Sequence, residues 1–440
     1  MEKFYSDTLE EALKLLYFQA DKSRFPEGVT LLEKAVANGE ADAFYFLARC
    51  YGWGDGNVKE NTRKAKSLSK QGILLGSDLC VLGAERMDIL KGDIRDAMIK
   101  DLKASFDSVL KVAEYGEPMA QYAIGLFYFW GDMLMNFQKP SREEFIACEK
   151  ANAKEALKWF RRSAEAGCLP SFRNAFNSVR NGVNGVEKNP EEALRWVETM
   201  IGKVDMRDYY HSIILEYNKL KKFEDAFRWG ERGVRDKEPD STVDQGLAYL
   251  SGNNAVKEDD AKALALFKQA SEWGSCYGSY NVGRCYYYGW GSERNYLEAF
   301  QWFNKADRDG HPTAKRFLAY CYCLGRGTQE DPAKGMELIR ILQRQGKEYP
   351  KDLLGYCLLY GKGTAPNYAE AKRLLEEAAR GGSASSWKYL GDMYDKGLGI
   401  PEDISLAASC YQKALDAGDP YAGEELQRFK KTLFGKWKRK

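Results

Sequence analysis

Residues 314–346 read AKRFLAYCYCLGRGTQEDPAKGMELIRILQRQG, and two helix patterns flank a glycine-rich turn in this stretch. Small and apolar residues recur in the first half with the 3.6-residue period of a helix: Ala314, Leu318, Ala319 and Tyr322. The glycines of GRG permit the left-handed backbone that ends a helix, and Asp331-Pro332 fits an N-cap followed by a first-turn proline. A second apolar stripe follows through Met336, Ile339 and Leu342. The stretch therefore predicts two helices joined by a tight turn.

The same plan recurs every 36 residues. Gly-x-Gly pairs stand at Gly289/Gly291, Gly325/Gly327, Gly361/Gly363 and Gly397/Gly399. Self-similarity at this period is typical of helical repeat arrays, in which each unit buries its apolar face against its neighbours. We place first helices near 41–53, 118–130, 276–288, 312–324, 350–360 and 385–396. Second helices are expected near 61–75, 154–166, 190–201, 260–273, 296–309, 333–345, 368–380 and 404–417.

Composition narrows the class of protein. The 440 residues are too many for one compact core but suit an array that grows lengthwise. Charged residues make up 30% of the chain and the net charge is only +2, so no strong positive electrostatic field favours the binding of nucleic acid. We find no run of 18 apolar residues, and therefore expect no integral membrane segment. Acidic residues interrupt MEKFYSDTLEEALKLLYFQADK where a secretory signal needs apolar ones, so a cytoplasmic location is expected.

Four of the ten cysteines occupy one phase of the repeat: Cys50, Cys285, Cys321 and Cys357. Equivalent helices of stacked repeats lie roughly 8–10 Å apart, whereas a disulfide needs Cα atoms within about 7 Å. We interpret these cysteines as small buried hydrophobic residues with reduced thiols.

The sequence offers little for catalysis. Its only histidines are His211 and His311, and neither has a flanking nucleophile signature. Metal-binding, phosphate-loop and dinucleotide motifs are not found. Cys321 and Cys323 would face about 200° apart on a helix, which does not suit chelation. We therefore predict no catalytic residue, no metal and no cofactor.

A binding surface is the stronger expectation. Counted from the leading small residue, positions 2, 6 and 9 of each first helix face away from the buried stripe. They are Tyr45, Arg49, Tyr122, Leu126, Phe129, Tyr280, Arg284, Tyr287, Arg316, Tyr320, Asp352, Tyr356, Lys388 and Asp392. Tyr and Arg are enriched at interface hot spots. The alternative is that these aromatics only complete the packing between neighbouring first helices. Leu126 and Phe129 test for an apolar patch, since a solvated face has little reason to hold both.

The repeat resembles a known family. LAYCYCLGRGTQEDPAKGMELI, VGRCYYYGWGSERNYLEAFQWFNKADRDGHPTA and GDMYDKGLGIPEDISLAASCYQKALDAGDPYA resemble the Sel1-like repeat, a relative of the tetratricopeptide repeat. The resemblance covers roughly residues 26–420 and is strongest over 239–420. It implies an all-α solenoid of about ten stacked antiparallel helix pairs, whose first helices line a concave groove. It also implies a scaffold or adaptor that binds a protein or peptide partner.

Departures from the pattern suggest an organisation along the chain. We expect N-terminal helices over 1–40, repeats over 41–200 with an insertion at about 133–153, and regular repeats over 239–420. Residues 201–238 resemble a tetratricopeptide unit and suggest a change of curvature. A capping helix and a basic tail are expected over 421–440. The basic residues around Phe434 and Trp437 either dock on an acidic lipid or partner or form a solubilising end.

Two other functions remain open. Stacked aromatics could bind a glycan. Cysteine-rich secreted relatives have been linked to cell-wall or β-lactam hydrolysis, but this chain lacks their regularly paired cysteines. The leading expectation is a non-enzymatic scaffold.

Overall fold

The computed structural model describes residues 3–19, 21–84, 93–183, 185–431 and 437–440. The chain divides into two compact units, Met1–Leu220 and Lys221–Lys440, and the boundary falls inside the segment 201–238. No helix among the described residues combines the length and the apolar character needed to span a membrane.

The described part of unit 1 has eleven α-helices. They are α1 (Asp7–Leu13), α2 (Phe25–Ala37), α3 (Ala41–Trp53), α4 (Thr62–Leu74), α5 (Asp78–Ala84), α6 (Asp93–Glu114), α7 (Pro118–Phe129), α8 (Phe145–Glu165), α9 (Leu169–Asn181), α10 (Pro190–Thr199) and α11 (Tyr210–Lys219). Short π-helices cover Lys14–Phe18 and Leu134–Gln138, and 3-10 turns cover Lys22–Arg24, Asp55–Asn57 and Arg207–Tyr209. Helix α8 begins about nine residues before its predicted start, because the insertion supplies its first turns.

Unit 2 is more regular. Its helices are α12 (Phe223–Arg235), α13 (Pro239–Ser251), α14 (Asp260–Glu272), α15 (Cys276–Tyr288), α16 (Tyr296–Arg308), α17 (Ala314–Leu324), α18 (Pro332–Arg344), α19 (Lys351–Tyr360), α20 (Tyr368–Arg380), α21 (Ala384–Lys396), α22 (Ile404–Asp416) and α23 (Ala422–Leu426). Strands β1 (Phe429–Lys431) and β2 (Trp437–Arg439) follow.

Consecutive helices pack as pairs. Within a repeat α15 packs on α16, α17 on α18, α19 on α20 and α21 on α22, and each second helix also packs on the first helix that follows it. The predicted all-α solenoid is therefore confirmed. The ten cysteines are unpaired thiols, and the four that share a repeat phase are buried, as expected.

The small residue in each first helix has a packing reason. A Cβ placed on Gly283 would lie 2.7 Å from Cδ1 of Phe303 on the second helix of the same repeat. Gly355 meets Leu375 and Gly391 meets Tyr411 at similar distances. A glycine here lets a large side chain of α16, α20 or α22 fill the space between the paired helices.

The turn between the two helices is held by backbone hydrogen bonds. Gly325 ends α17 with a left-handed φ of 63°. The N–H of Asp331 donates to the carbonyl of Tyr322 at 2.8 Å, which closes the hairpin. The Asp331 carboxylate then accepts from the N–H of Lys334 at 3.0 Å and caps α18.

The second glycine of each Gly-x-Gly pair makes a contact between repeats. Gly327 has a φ of 76°, and a Cβ there would lie 1.9 Å from the carbonyl oxygen of Tyr296, the first residue of α16 in the preceding repeat. The same approach to backbone recurs where Gly291 meets Asp260 and Gly363 meets Pro332, and Gly399 approaches the side chain of Tyr368 at the corresponding place. The 36-residue period in the sequence therefore follows from the way consecutive repeats stack.

The structure predicts a large cost for filling this contact. Gly310→Ala is a matched control, since Gly310 has a φ of 87° with no neighbour within 4 Å of the added atom. We expect the control to lose about 1–2 kcal/mol from the strained backbone alone. Gly327→Ala should lose about 3–4 kcal/mol, because backbone of the preceding repeat must also move. Urea unfolding measures both, and equal losses would contradict the stacking role.

The end of the chain differs from the prediction. The capping helix expected over 421–440 stops at Leu426, and β1 pairs antiparallel with β2, so that Phe429 stands opposite Arg439. Phe429 is buried, and its ring lies 5.9 Å from that of Tyr411. Phe434 lies outside the described residues.

Two basic residues of this segment are ion-paired. The buried carboxylate of Asp395 on α21 meets Arg428 and Arg439, each at 2.9 Å. These contacts fasten the hairpin to the last repeat, so Arg439 of the basic tail pairs with this protein instead of forming a solubilising end. Sequence periodicity could not show this, because the acid that holds the hairpin lies 44 residues before Arg439.

Neutralising this acid should release the hairpin. We expect Asp395→Asn to lower the free energy of unfolding by about 1–3 kcal/mol, because two charge-assisted contacts are lost. Trypsin should then cleave after Lys430 faster than in the wild type. Glu402→Gln is the control, since it removes only an exposed second partner of Arg439. Equal cleavage rates in Asp395→Asn and wild type would exclude the fastening role.

Candidate functional site

In unit 1 two of the predicted binding residues, Arg49 and Tyr122, belong to a hydrogen-bonded network that includes Tyr17 of the N-terminal segment. Tyr17 is fully buried, its ring lies 5.9 Å from that of Phe46, and its hydroxyl donates to Asp55 at 3.1 Å. Arg49 donates to the same carboxylate at 3.0 Å and to the hydroxyl of Tyr122 at 3.1 Å. Burial raises the pKa of Tyr17 well above its usual value, and the Asp55 charge adds to that shift.

The N-terminal segment continues toward the middle of unit 1. Phe18 contacts the position that a Cβ of Gly167 would take, at 3.4 Å, and Lys22 pairs with Asp208 at 2.8 Å. Four of the predicted residues are buried: Tyr45, Arg49, Tyr122 and Leu126. Their prediction as exposed binding residues is wrong for this conformation. Helical spacing gives the face of a residue, but it does not show which distant segment covers that face.

The expected apolar patch of Leu126 and Phe129 is also divided. Leu126 is buried, whereas Phe129 is half-buried and packs at 5.6 Å from Phe160. Phe129 lines a cleft of about 220 Å³ with exposed Trp130, Met135 and Phe145 from the insertion and α8. This pair therefore does not form one solvent-exposed surface.

In unit 2 most of the predicted residues come together. They lie on neighbouring first helices and are half-buried: Tyr280, Arg284, Arg316, Tyr320, Asp352, Tyr356 and Lys388. Tyr288, Tyr360 and Tyr389 from the same helices and Arg326 from the turn after α17 extend this set. We call the eleven residues the tyrosine face.

Hydrogen bonds between adjacent repeats order the tyrosine face. The hydroxyl of Tyr320 donates to Asp352 at 2.6 Å, and that of Tyr360 donates to Asp392 at 2.6 Å. Each bond spans 32 residues and joins consecutive first helices. Burial raises the pKa of Tyr320 well above its usual value, and the charge of Asp352 raises it further. The tyrosines are therefore neutral donors held in fixed positions.

Aromatic contacts connect these hydrogen bonds. The Tyr356 ring lies 5.2 Å from both Tyr360 and Tyr389. The Tyr280 ring stacks on His311 at 4.0 Å. Burial raises the pKa of Tyr288, whereas the nearby Arg284 charge lowers it. The Tyr280 ring also lies 5.7 Å from that of Phe317 on α17. Together with the two Tyr–Asp hydrogen bonds, these contacts run from α15 to α21.

Two predicted residues of unit 2 belong to the interior. Tyr287 is buried among rings that include Phe303 and Phe317, and its hydroxyl accepts from Arg326. Asp392 is buried and accepts from Tyr411 at 2.8 Å as well as from Tyr360. For these two positions the packing interpretation is the correct one.

Sequence reasoning missed the most exposed aromatics of this region. Tyr277, Tyr288 and Tyr360 have 46%, 44% and 36% of their surface exposed. Tyr288 and Tyr360 stand four residues after position 6, so extending the stripe by one further helical turn would have found them. Arg326 lies in the turn, where helical periodicity does not apply.

A pH-dependent stability is expected from His311, which is buried at the turn between α16 and α17. Burial lowers its pKa from 6.5 to about 4, although Asp307 opposes the shift. Below about pH 6.5 the unfolded chain binds the proton first, so stability should fall by about 2 kcal/mol by pH 5 and about 3 kcal/mol by pH 4. His311→Phe keeps a ring against Tyr280 and should remove this part of the pH dependence. Urea unfolding at pH 7 and pH 5 tests it, and an unchanged pH slope would contradict it.

Known proteins share this architecture. The model of the Sel1 repeat matches residues 41–77, 118–138, 147–168, 179–199, 246–275, 277–311, 312–341, 353–383 and 389–419. No curated protein matches the chain by sequence.

Two solved structures illustrate the similarity. The c5321 protein, a protective antigen of uropathogenic Escherichia coli strains with an SLR fold, is 22% identical with a TM-score of 0.55, over 96% of this chain and 86% of that one. A Sel1 repeat protein from Oxalobacter formigenes is 24% identical with a TM-score of 0.47, over 73% of this chain and 89% of that one. Because the repeat matches cover more than half of its residues, the chain belongs to the Sel1 repeat family.

Proposed function

We propose that this protein is a non-catalytic scaffold that binds a protein partner on the tyrosine face of unit 2. The observation that supports this proposal is a surface where exposed Tyr288 and Tyr360 flank half-buried tyrosines and arginines on four consecutive first helices. Tyrosine supplies a large contact area at a small cost in conformational entropy, and arginine adds directional hydrogen bonds.

Pre-organisation strengthens the proposal. Tyr320 and Tyr360 are held by carboxylates of the neighbouring repeat, so a partner does not have to order them on binding. An extended segment of the partner could cross several repeats and contact the first helix of each in turn. The cytoplasmic location expected from the sequence remains a prediction.

Site-specific photocrosslinking tests the proposal. Benzoylphenylalanine in place of Tyr288 or Tyr360 should yield covalent adducts with a partner protein in the source cell. The same probe in place of Tyr368 is the matched control, because Tyr368 on second helix α20 is 37% exposed against 36% for Tyr360. Adducts confined to the tyrosine face would support the proposal. Adducts at the control alone, or at no position, would exclude this face as the binding site.

A further inference from the structure

We infer that the partner segment bound by the tyrosine face carries carboxylate groups, which ion-pair with Arg284 and Arg326. This inference rests on the proposed function and specifies the chemistry of the partner. It follows from an imbalance between the acidic and basic side chains of the face.

The carboxylates at this surface are already engaged. Asp352 accepts from Tyr320 at 2.6 Å, and Glu348 accepts from Arg316 at 3.2 Å. Asp392 accepts from two tyrosines and lies 3.5 Å from the ammonium of Lys388. Each of these acids therefore already has a tyrosine or a cation of the protein as a partner.

The two arginines differ from these acids. Within the described parts of the chain, neither Arg284 nor Arg326 forms an ion pair. Arg284 donates to the neutral side-chain oxygen of Asn281 at 3.0 Å, and its guanidinium lies 5.1 Å from the Trp290 ring. Arg326 donates to the hydroxyl of Tyr287 and lies 5.3 Å from that ring. A guanidinium offers five N–H donors, so both retain donors for a carboxylate.

Unit 1 provides an internal comparison. Arg49 occupies the position in α3 that Arg284 occupies in α15, five residues before the glycine that ends the helix. The residue after that glycine is Asp55 in unit 1, and it pairs with Arg49 at 3.0 Å. In unit 2 the corresponding residue is Trp290, which offers a ring but no charge. The equivalent arginine therefore has an internal counter-ion in unit 1 and lacks one among the described residues of unit 2.

The surroundings favour an acidic protein segment over nucleic acid. Exposed Tyr288, which lies close to the charge of Arg284, provides apolar contact area beside it. A nucleic-acid backbone would require a continuous row of cations, whereas Asp352 interrupts this face. Spaced carboxylates among apolar residues match it better.

Fluorescence anisotropy with synthetic probes tests the inference on the full-length chain. The probe is a labelled peptide in which glutamate alternates with leucine, and its control replaces glutamate by glutamine. We expect the glutamate peptide to bind more tightly and to weaken as salt is raised. Arg284→Gln with Arg326→Gln should weaken binding by about tenfold or more. Arg340→Gln with Arg344→Gln, on exposed positions of second helix α18, should leave it unchanged.

The outcomes distinguish the acidic preference of the partner from the proposed binding on the tyrosine face. Arg326 also hydrogen-bonds to the buried Tyr287, so its substitution could disturb the fold. Arg284→Gln alone therefore serves as a second variant, and it should weaken binding by severalfold. Equal affinities for the two peptides, both lost in Tyr288→Ala, would overturn the acidic preference while supporting the binding face. If neither peptide binds, or a labelled single-stranded oligonucleotide binds more tightly, the inference fails. Photocrosslinking at Tyr288 would then decide the proposed function by itself.

Discussion

The contact between Gly327 and the start of α16 is the constraint on which the repeat architecture depends. Each turn is closed by its own hydrogen bonds, but a hairpin alone leaves the apolar side of its helices exposed. The second glycine lets the turn rest directly on the backbone of the preceding repeat. At Asp260, Tyr296 and Pro332 the nearest atoms are backbone, so the contact does not depend on the side chain present there, whereas at Gly399 the nearest atoms belong to the side chain of Tyr368. A fixed period with variable sequence is the result.

The fixed stacking has a consequence for the tyrosine face. Residues 32 apart, one helical turn short of the repeat period, come within hydrogen-bond distance on successive first helices, so a tyrosine in one repeat can reach an acid in the next. Tyr320 with Asp352 and Tyr360 with Asp392 use the same 32-residue separation on different helix positions. A phenol hydroxyl that donates to the acid satisfies part of the carboxylate's need for hydrogen bonds. This lowers the cost of keeping that carboxylate half-buried. The polar side chains of the face are therefore held in order by their partners, which is unusual for polar side chains on a protein surface.

The sequence was informative where a local rule decides the structure. The period and the N-cap at Asp331 each follow from local geometry, and each was placed correctly. The misses involve contacts distant in sequence. Arg49 and Tyr122 obey helical spacing, yet both are buried in a network that Asp55 joins to the distant Tyr17. The end of the chain likewise depends on Asp395, which no short-range pattern connects with Arg439. Buried Tyr287 and Asp392 show a third limit, because the angle around a helix does not give the depth of a residue.

The two units show how one repeat position can acquire different roles. In unit 1 the turn residue is Asp55, and it orders Arg49, Tyr17 and Tyr122 into a closed network beneath the chain's own N-terminal segment. In unit 2 Trp290 takes that place, and Arg284 stays half-buried against a ring. An arginine already paired with an internal acid gains little from a second one, whereas an arginine against an aromatic ring can still form a charge-assisted hydrogen bond. A single turn residue therefore makes the difference between the two units. With Asp55 the first-helix face packs within the protein, and with Trp290 the arginine keeps a charge that a partner can pair with.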